Sequence, residues 1–314
     1  MRTTVGKSFR TPAKHAALNA HLGREAAALT HMNYWLKPVI WYDMSAGDAE
    51  TQPDQQWSEN CSAGIFARHA RTIAGFEDRG AVFRDVQITL SEKARNTYDL
   101  LLVNLDLQLP QLGYERRSTT RWVFEGKQGH TVDLNVEMQD SAQMTFDGIS
   151  RDQVVFLCID PNNMTGVHIN DQAHRNLFGE NRRTTMFVTM GCNPGGLKML
   201  PLEARENWFK VTEPLERRLA NTHDIVIAAI DNDRARWGYL VVVPEGWRDK
   251  YTKSFVKQFL DNGFALKHAS IRNQENEYEH IQRYLFLTNK ENEQRNNTQQ
   301  QRSNTQGELF NGFN

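Results

Sequence analysis

Residues 39–50 read Val-Ile-Trp-Tyr-Asp-Met-Ser-Ala-Gly-Asp-Ala-Glu (VIWYDMSAGDAE). Four apolar residues run into Asp43, followed by small residues, Gly47 and two further acids. A short apolar run rich in β-branched and aromatic residues fits a strand buried on both faces, as in a parallel sheet. Small residues beyond its carboxyl end let a ligand approach the backbone, and open α/β sheets bind ligands at those ends. An ordinary strand-to-helix loop has the same composition, so the decision passes to the other strand ends.

Working outward, Ala, Leu and His content predicts a helix over about 12–34. Pro38 sits at the start of the first strand, where a missing N–H does little harm. Residues 50–64, with Pro53, read as a loop insertion, and CSAGIFARHARTI returns to helical spacing. AVFRDVQIT (81–89) reads as the second strand, and SEKARNTYDLLLVNL as a helix with Ser91 as its N-cap. RWVFEG and TVDLNVEM carry weaker strands over 120–138, and QVVFLCID is a continuous apolar strand broken at Asp160-Pro161. TTMFVTM ends in the glycine-rich GCNPGG turn, and LEARENWFKVTEPLERRLA is helical. DIVIAAI and YLVVVP flank DNDRARWG as a hairpin or two strands, YTKSFVKQFLDNG is an amphipathic helix, and FALKHASIRN with RYLFLTN forms a last strand pair.

Strands alternating with helices give an α/β fold with a doubly wound, mainly parallel sheet, and the late hairpin adds an antiparallel C-terminal edge. Residues 1–288 form this domain. Residues 289–314 are Asn- and Gln-rich with few apolar side chains, so a disordered C-terminal tail is expected.

With 39% hydrophobic and 24% charged residues, the chain has the balance of a soluble globular protein. No apolar run approaches a membrane span of roughly 20 residues. The basic start lacks an apolar stretch, so no secretion signal is expected. Three scattered cysteines argue against a disulfide framework and make a reducing cytoplasm the simplest setting. A net charge of -1 does not announce a nucleic-acid binder, but five basic residues precede the first acid, Glu25, and leave room for a basic N-terminal face.

Three strand ends carry suggestive residues. The first bears Asp43-Met-Ser-Ala-Gly47. The second places Glu92 where an acid accepts hydrogen bonds from a ribose diol. The fourth carries Asp160-Pro161-Asn162-Asn163, a carboxylate on a proline-stiffened turn.

On these residues, with AKHAALNAHL and CSAGIFARHA, the chain resembles the three-Cys-motif partner proteins, a group within the Rossmann-like S-adenosylmethionine-dependent methyltransferases. The resemblance covers loosely the first two thirds. It implies that Lys14 opens a helix beside the substrate, that Asp43, Ser45, Ala46 and Gly47 hold S-adenosylmethionine with Glu92, and that Asp160, Pro161 and Asn163 form the catalytic turn. Ser45 stands where the family pattern has an aromatic residue, Ala49 where it has its last glycine, and DPNN where base-amine methyltransferases have D/N-P-P-aromatic. The implied activity is methyl transfer to nucleic acid, at an exocyclic amino group of a DNA base. The alternative from the same residues is a catalytically degenerate methyltransferase fold that binds DNA or a partner.

AIDNDRARWGY offers a different chemistry. Asp231 and Asp233 suit Mg²⁺ in a metal-dependent nuclease, with Arg234 or Arg236 on phosphate. A tight hairpin turn explains the same residues, and then Arg234, Arg236 and Trp237 face the substrate, with Trp237 or Trp208 available to stack on a flipped base. Lys198 in the 191–201 turn lacks Walker spacing. His168, His174 and His223 have no metal-ligand spacing, so no metal is expected.

The tail ends in QGELFNGFN, where Gln306, Leu309 and Phe310 resemble the peptide by which bacterial DNA polymerases and repair proteins dock on the sliding clamp. A polar tether before an apolar pair suits such a partner, because it raises effective concentration. The alternative is a tail that folds back on its own domain.

Overall fold

The computed structural model describes residues 11–31, 37–51, 55–75, 82–150, 152–160, 171–178, 183–191, 223–232, 235–244 and 266–272. The expectations for the 161–163 turn, Lys198, Trp208, Asp233, Arg234, the strand RYLFLTN and the tail from 289 lie outside these residues.

The first strand, β1 (Val39–Asp43), is flanked by two parallel neighbours, β2 (Val86–Ser91) and β6 (Val154–Ile159). Side chains of a strand alternate between faces. Val39 and Trp41 enter one buried cluster with Val154, Phe156 and Cys158, while Ile40, Val155, Leu157 and Ile159 enter another. Both faces of β1 and β6 are therefore covered, which is why their sequences run apolar without alternation.

On the first face lie α1 (Thr11–His31), α3 (Ser62–Ile73) and α4 (Arg95–Gln108). Helix α1 contributes Leu18, Leu22, Ala26 and Leu29, spaced at near-helical intervals along one side. At the centre of this layer Trp41 meets Phe66 edge-on at 5.8 Å and Phe156 at 6.2 Å. Trp41 is fully buried, and truncating it to alanine would cost about 3–5 kcal/mol. The second face is covered by α5 (Asp171–Phe178), through Ala173, Leu177 and Phe178, and by the 144–149 segment. Between β1 and α3 the loop insertion holds a short helix, α2 (Trp57–Asn60). A side chain at Gly64 would come within 2.4 Å of the Trp57 carbonyl, so only glycine lets α2 and α3 meet this closely.

The sheet has ten strands in the order β10-β8-β9-β7-β6-β1-β2-β5-β4-β3. The remaining strands are β3 (Glu115–Ser118), β4 (Arg121–Glu125), β5 (Thr131–Glu137), β7 (Arg183–Gly191), β8 (His223–Asn232), β9 (Ala235–Pro244) and β10 (Leu266–Arg272). Strands β7, β6, β1, β2 and β5 are mutually parallel. The chain builds outward from β1 in one direction through β2 and β5, then returns to the other side of β1 with β6 and β7. This is the doubly wound, Rossmann-like order, with its switch point between β1 and β6. Strand β9 runs antiparallel to both β7 and β8, and β10 antiparallel to β8, so the expected antiparallel C-terminal edge is present.

Three local details differ from the sequence expectation. The opposite edge is also antiparallel, through a β3–β4 hairpin on β5. Strand β3, Glu-Arg-Arg-Ser, is exposed throughout and carries no apolar signal, because charges are how an edge strand resists pairing with another chain. Ser91 does not cap α4. It is the last residue of β2, paired with Glu137 of β5, and the N-cap is Ala94, without a side-chain bond. Ladder pairing extends the strand past the serine that propensity would give to the helix. Among the described residues, no helix is long and apolar enough to cross a membrane.

Candidate active site

The carboxyl ends of β6, β1 and β2 stand side by side, and a cleft of about 220 Å³ opens over them. Lys14, Asp43, Ser45, Ala46, Gly47, Glu92 and Asp160 all line it. At the spacing of adjacent strands, the row from Asp160 to Glu92 spans roughly 10 Å. The helix-opening residue, the first loop and the acids of the second and fourth parallel strands are thus brought together from positions 14 to 160.

The 43–50 loop is tied down from every side. Met44 N–H donates to the Cys158 carbonyl at 2.9 Å, and Ala46 N–H to the Ser91 carbonyl at 3.0 Å, linking it to both neighbouring strands. Trp57 Nε1 donates to the Ala49 carbonyl at 2.9 Å, and Asn104 Nδ2 to the Asp48 carbonyl at 2.7 Å. Gly47 has φ +65°, and nothing lies within 4 Å of where its side chain would stand. The backbone there is open to the cleft. Ala49, at the position of the family pattern's last glycine, also has a left-handed φ of 51°. The turn thus demands a conformation that glycine would adopt with less strain.

Asp43 is almost completely buried. Burial pushes its carboxyl up to about 6, with Asp160 and Glu92 adding repulsion, while the Ser62 hydroxyl and the Ser45 amide pull it back. The Ser45 N–H donates to Oδ1 at 3.1 Å, whereas Oδ2 has no partner within hydrogen-bond geometry among the described residues, the Ser62 hydroxyl acting on the carboxyl without meeting that geometry at Oδ2. A buried carboxylate oxygen left this way costs free energy unless a ligand supplies a donor or positive charge. The described lining carries five acids, Asp43, Asp48, Glu50, Glu92 and Asp160, against Lys14 and Lys93. Its charge favours a cationic ligand.

Glu92 sits half-buried just past β2, where Oε1 accepts the Ala94 N–H at 2.8 Å. Asp160 is held twice. Its N–H donates to Ser45 Oγ at 3.1 Å, and Lys14 Nζ donates to its Oδ1 at 2.6 Å. Those two side chains keep 16% and 33% of their surface, so the pair is neither fully buried nor freely solvated. Ser45, which departs from the family pattern, adds a second link between the β1 loop and the β6 end, beside that of Met44 to Cys158.

The hairpin reading of DNDRARWG agrees with the β8–β9 register, which closes with Asn232 opposite Ala235. Arg236 pairs in register with Asp231, and Trp237 with Gly191, the last residue of β7. Since β8 runs parallel to β7, β8 ends and β9 begins on the same side of the sheet as the cleft. Among the described residues, no group of three or more His, Cys, Asp or Glu is placed to hold a metal ion.

Sequence reasoning missed His15, Leu18, Cys61, Ser62, Lys93, Ala94, Thr97, Cys158 and Phe187, which also line the cleft. Leu18 lies one helical turn beyond Lys14, so helical spacing from Lys14 could have found it. Phe187 and Ser62 arrive through strand pairing and helix packing, and carry no local signal.

No protein-family model matches the chain, and no curated protein matches it significantly. Among solved structures it is similar to the O-methyltransferase TomG from Streptomyces achromogenes in complex with SAM, at 13% identity and TM-score 0.39, covering 77% of this chain and 92% of that one. It is also similar to cofactor-bound Rv0187 from MTB, at 13% identity and TM-score 0.37, covering 77% and 92%. The human methyltransferase 10 domain containing protein aligns at 9% identity and TM-score 0.36, covering 75% and 83%. Scores this low carry no argument, and the fold stands on its strand order.

Proposed function

We propose that this chain is an S-adenosylmethionine-dependent methyltransferase whose acceptor is an exocyclic amino group of a nucleic-acid base, with DNA as the nucleic acid. The observation that carries the reading is the acidic cleft at the switch point, with Asp43 Oδ2 buried in its wall and without a hydrogen-bond partner among the described residues. The residues present suit the cofactor: a positively charged ligand answers Asp43, the Gly47 backbone admits close approach, and Glu92 is placed to accept from a ribose diol. S-adenosylmethionine supplies a methyl group already activated as a sulfonium. The protein's task is therefore positioning more than proton transfer.

Asp160 accepts a hydrogen of the acceptor amine and turns the nitrogen lone pair into the cleft. Its partial exposure offers the released proton a path to water. On the family resemblance, the Pro161 carbonyl is assigned to the second amine hydrogen, and Asn163 to the same catalytic group. Arg234, Arg236 and Trp237 are assigned to phosphate and base contacts, as the sequence suggests. The resemblance to the three-Cys-motif partner proteins supports the cofactor assignment, and the clamp-like tail at Gln306, Leu309 and Phe310 supports DNA.

Calorimetry with S-adenosylmethionine and with S-adenosylhomocysteine is expected to show binding of both. Tritium transfer to DNA is expected in the wild type and is lost in Asp160→Ala. Absence of heat with either compound overturns the cofactor assignment, and transfer to RNA alone overturns the choice of DNA. For the tail, deleting residues 306–310 abolishes binding to a bacterial sliding clamp, and unchanged binding refutes that partner.

A further inference from the structure

The Lys14–Asp160 pair sets a donor and an acceptor next to each other on the cleft wall. Lys14 Nζ and Asp160 Oδ1 are 2.6 Å apart, and both residues line the cleft. An ammonium has three donor hydrogens and no acceptor, while a carboxylate has about four acceptor positions and no donor. A ligand that satisfies both at once needs a donor and an acceptor on neighbouring atoms. Two bonds of about 1.33 Å meeting at a trigonal carbon put such heteroatoms roughly 2.3 Å apart, which matches the pair. A protonated aliphatic amine offers only donors and sets its hydrogens against the lysine, and a neutral one carries its acceptor lone pair on the same nitrogen as its donors rather than on a neighbouring atom. A phosphate offers only acceptors and leaves Asp160 repelled.

We infer that Lys14 is a specificity-determining residue that recognises the ring nitrogen or carbonyl beside the reacting amine, so that the acceptor is a heteroaromatic amine with an N–C–N or N–C–O edge. This inference rests on the methyl-transfer reading only for which atom reacts. Asp160 takes the amino N–H, and Lys14 donates to the atom one bond beyond the shared carbon. His15, half-buried and also lining the cleft, brings a flat ring beside the pair, which favours a planar heteroaromatic over a slim side-chain amide. Recognition of this kind is discriminating, because an analogue without the acceptor atom forgoes a charge-assisted hydrogen bond from Lys14.

The test uses three small probes and the full chain alone, at alkaline pH where the ring nitrogen is unprotonated. 2-Aminopyridine carries the edge, aniline lacks the ring nitrogen, and propionamide carries the edge without a ring. By NMR titration, 2-aminopyridine is expected to bind at least about tenfold more tightly than aniline, the worth of one charge-assisted hydrogen bond. That preference disappears in Lys14→Met and survives in Lys14→Arg, which keeps a donor. Asp160→Asn weakens 2-aminopyridine and aniline alike. Equal binding of the two amines, a preference that persists in Lys14→Met, tighter binding of propionamide, or no cleft perturbation by any probe would overturn the inference. Failure of the methyltransferase reading shows separately, as absence of S-adenosylmethionine binding while the probe preference stands.

Discussion

The Asp160 amide donates its hydrogen bond to the hydroxyl of Ser45, a residue 115 positions earlier in the chain. Two strand ends that parallel pairing brings side by side are thereby fixed relative to each other across the switch point. Ser45→Ala removes the acceptor and leaves a part-buried N–H without its partner. A loss of about 1 kcal/mol in stability is expected, with methyl transfer falling by more than cofactor affinity does. Thermal melts and a comparison of kcat with the Kd for S-adenosylhomocysteine check this. If Ser45→Ala weakens cofactor binding and leaves kcat unchanged, the residue belongs to the cofactor loop alone.

Asp43 makes stability depend on pH in an unusual direction. Its carboxyl is raised from 3.8 to about 6 by burial, so between those values the folded state holds a proton that the unfolded state has released. Stability from this group is present at low pH and is lost as pH rises through about 6, amounting to roughly 2–3 kcal/mol. Asp43→Asn is expected to flatten that part of the denaturation-versus-pH profile and to raise the melting temperature at neutral pH. A variant that keeps the wild-type slope would show that the shift lies elsewhere.

Two buried histidines act with the opposite sign. His21 lies between Phe156 and Phe187 with ring centroids at 5.2 and 5.4 Å, and His69 is hydrogen-bonded to Asn19. Burial holds both down at about 3. The unfolded chain binds their protons below about pH 6.5 while the folded chain refuses them, so each costs up to about 1.4 kcal/mol per pH unit as the solution is acidified. Urea denaturation between pH 7 and pH 5 should therefore show steep acid lability. His69→Asn halves the histidine contribution to that slope, and an unaltered slope would count against the assignment.

Ala49 holds a left-handed backbone that disfavours any side chain. Ala49→Gly removes that strain, although the unfolded state gains freedom. A net gain of about 0.5–1 kcal/mol is expected, a rise of a few degrees in melting temperature. A lowered melting temperature would mean that the buried methyl contributes more by packing than the backbone loses.

The centre of the parallel core, β1 and β6, was legible because these strands are buried on both faces and run apolar without interruption, as VIWY and VVFLCI do. The hairpin β8–β9 was legible from its turn residues. Strand β3 and helix α5 were not. The first is an edge made of charges. The second, DQAHRNLF, owes its place to Ala173, Leu177 and Phe178 packing on a sheet face that the sequence does not display. At the site, Asp43, Gly47, Glu92 and Asp160 could be read because each follows an apolar run directly. His15, Ser62 and Phe187 could not, since only helix packing and strand register carry them to the cleft.

By itself, then, the sequence determined the strand cores, the acids that end them and the glycine that opens the first loop, because these are local consequences of hydrophobic runs and backbone freedom. VIWYDMSAGDAE taken alone stayed indistinguishable from a plain strand-to-helix loop. The tertiary structure decided that β6 returns beside β1. That pairing puts Asp160 against Ser45, sets Lys14 on Asp160 and leaves Asp43 Oδ2 buried without a hydrogen-bond partner among the described residues. Hydrogen bonds and desolvation act over a few ångströms of space, and no spacing along the chain records which residues the fold will bring that close.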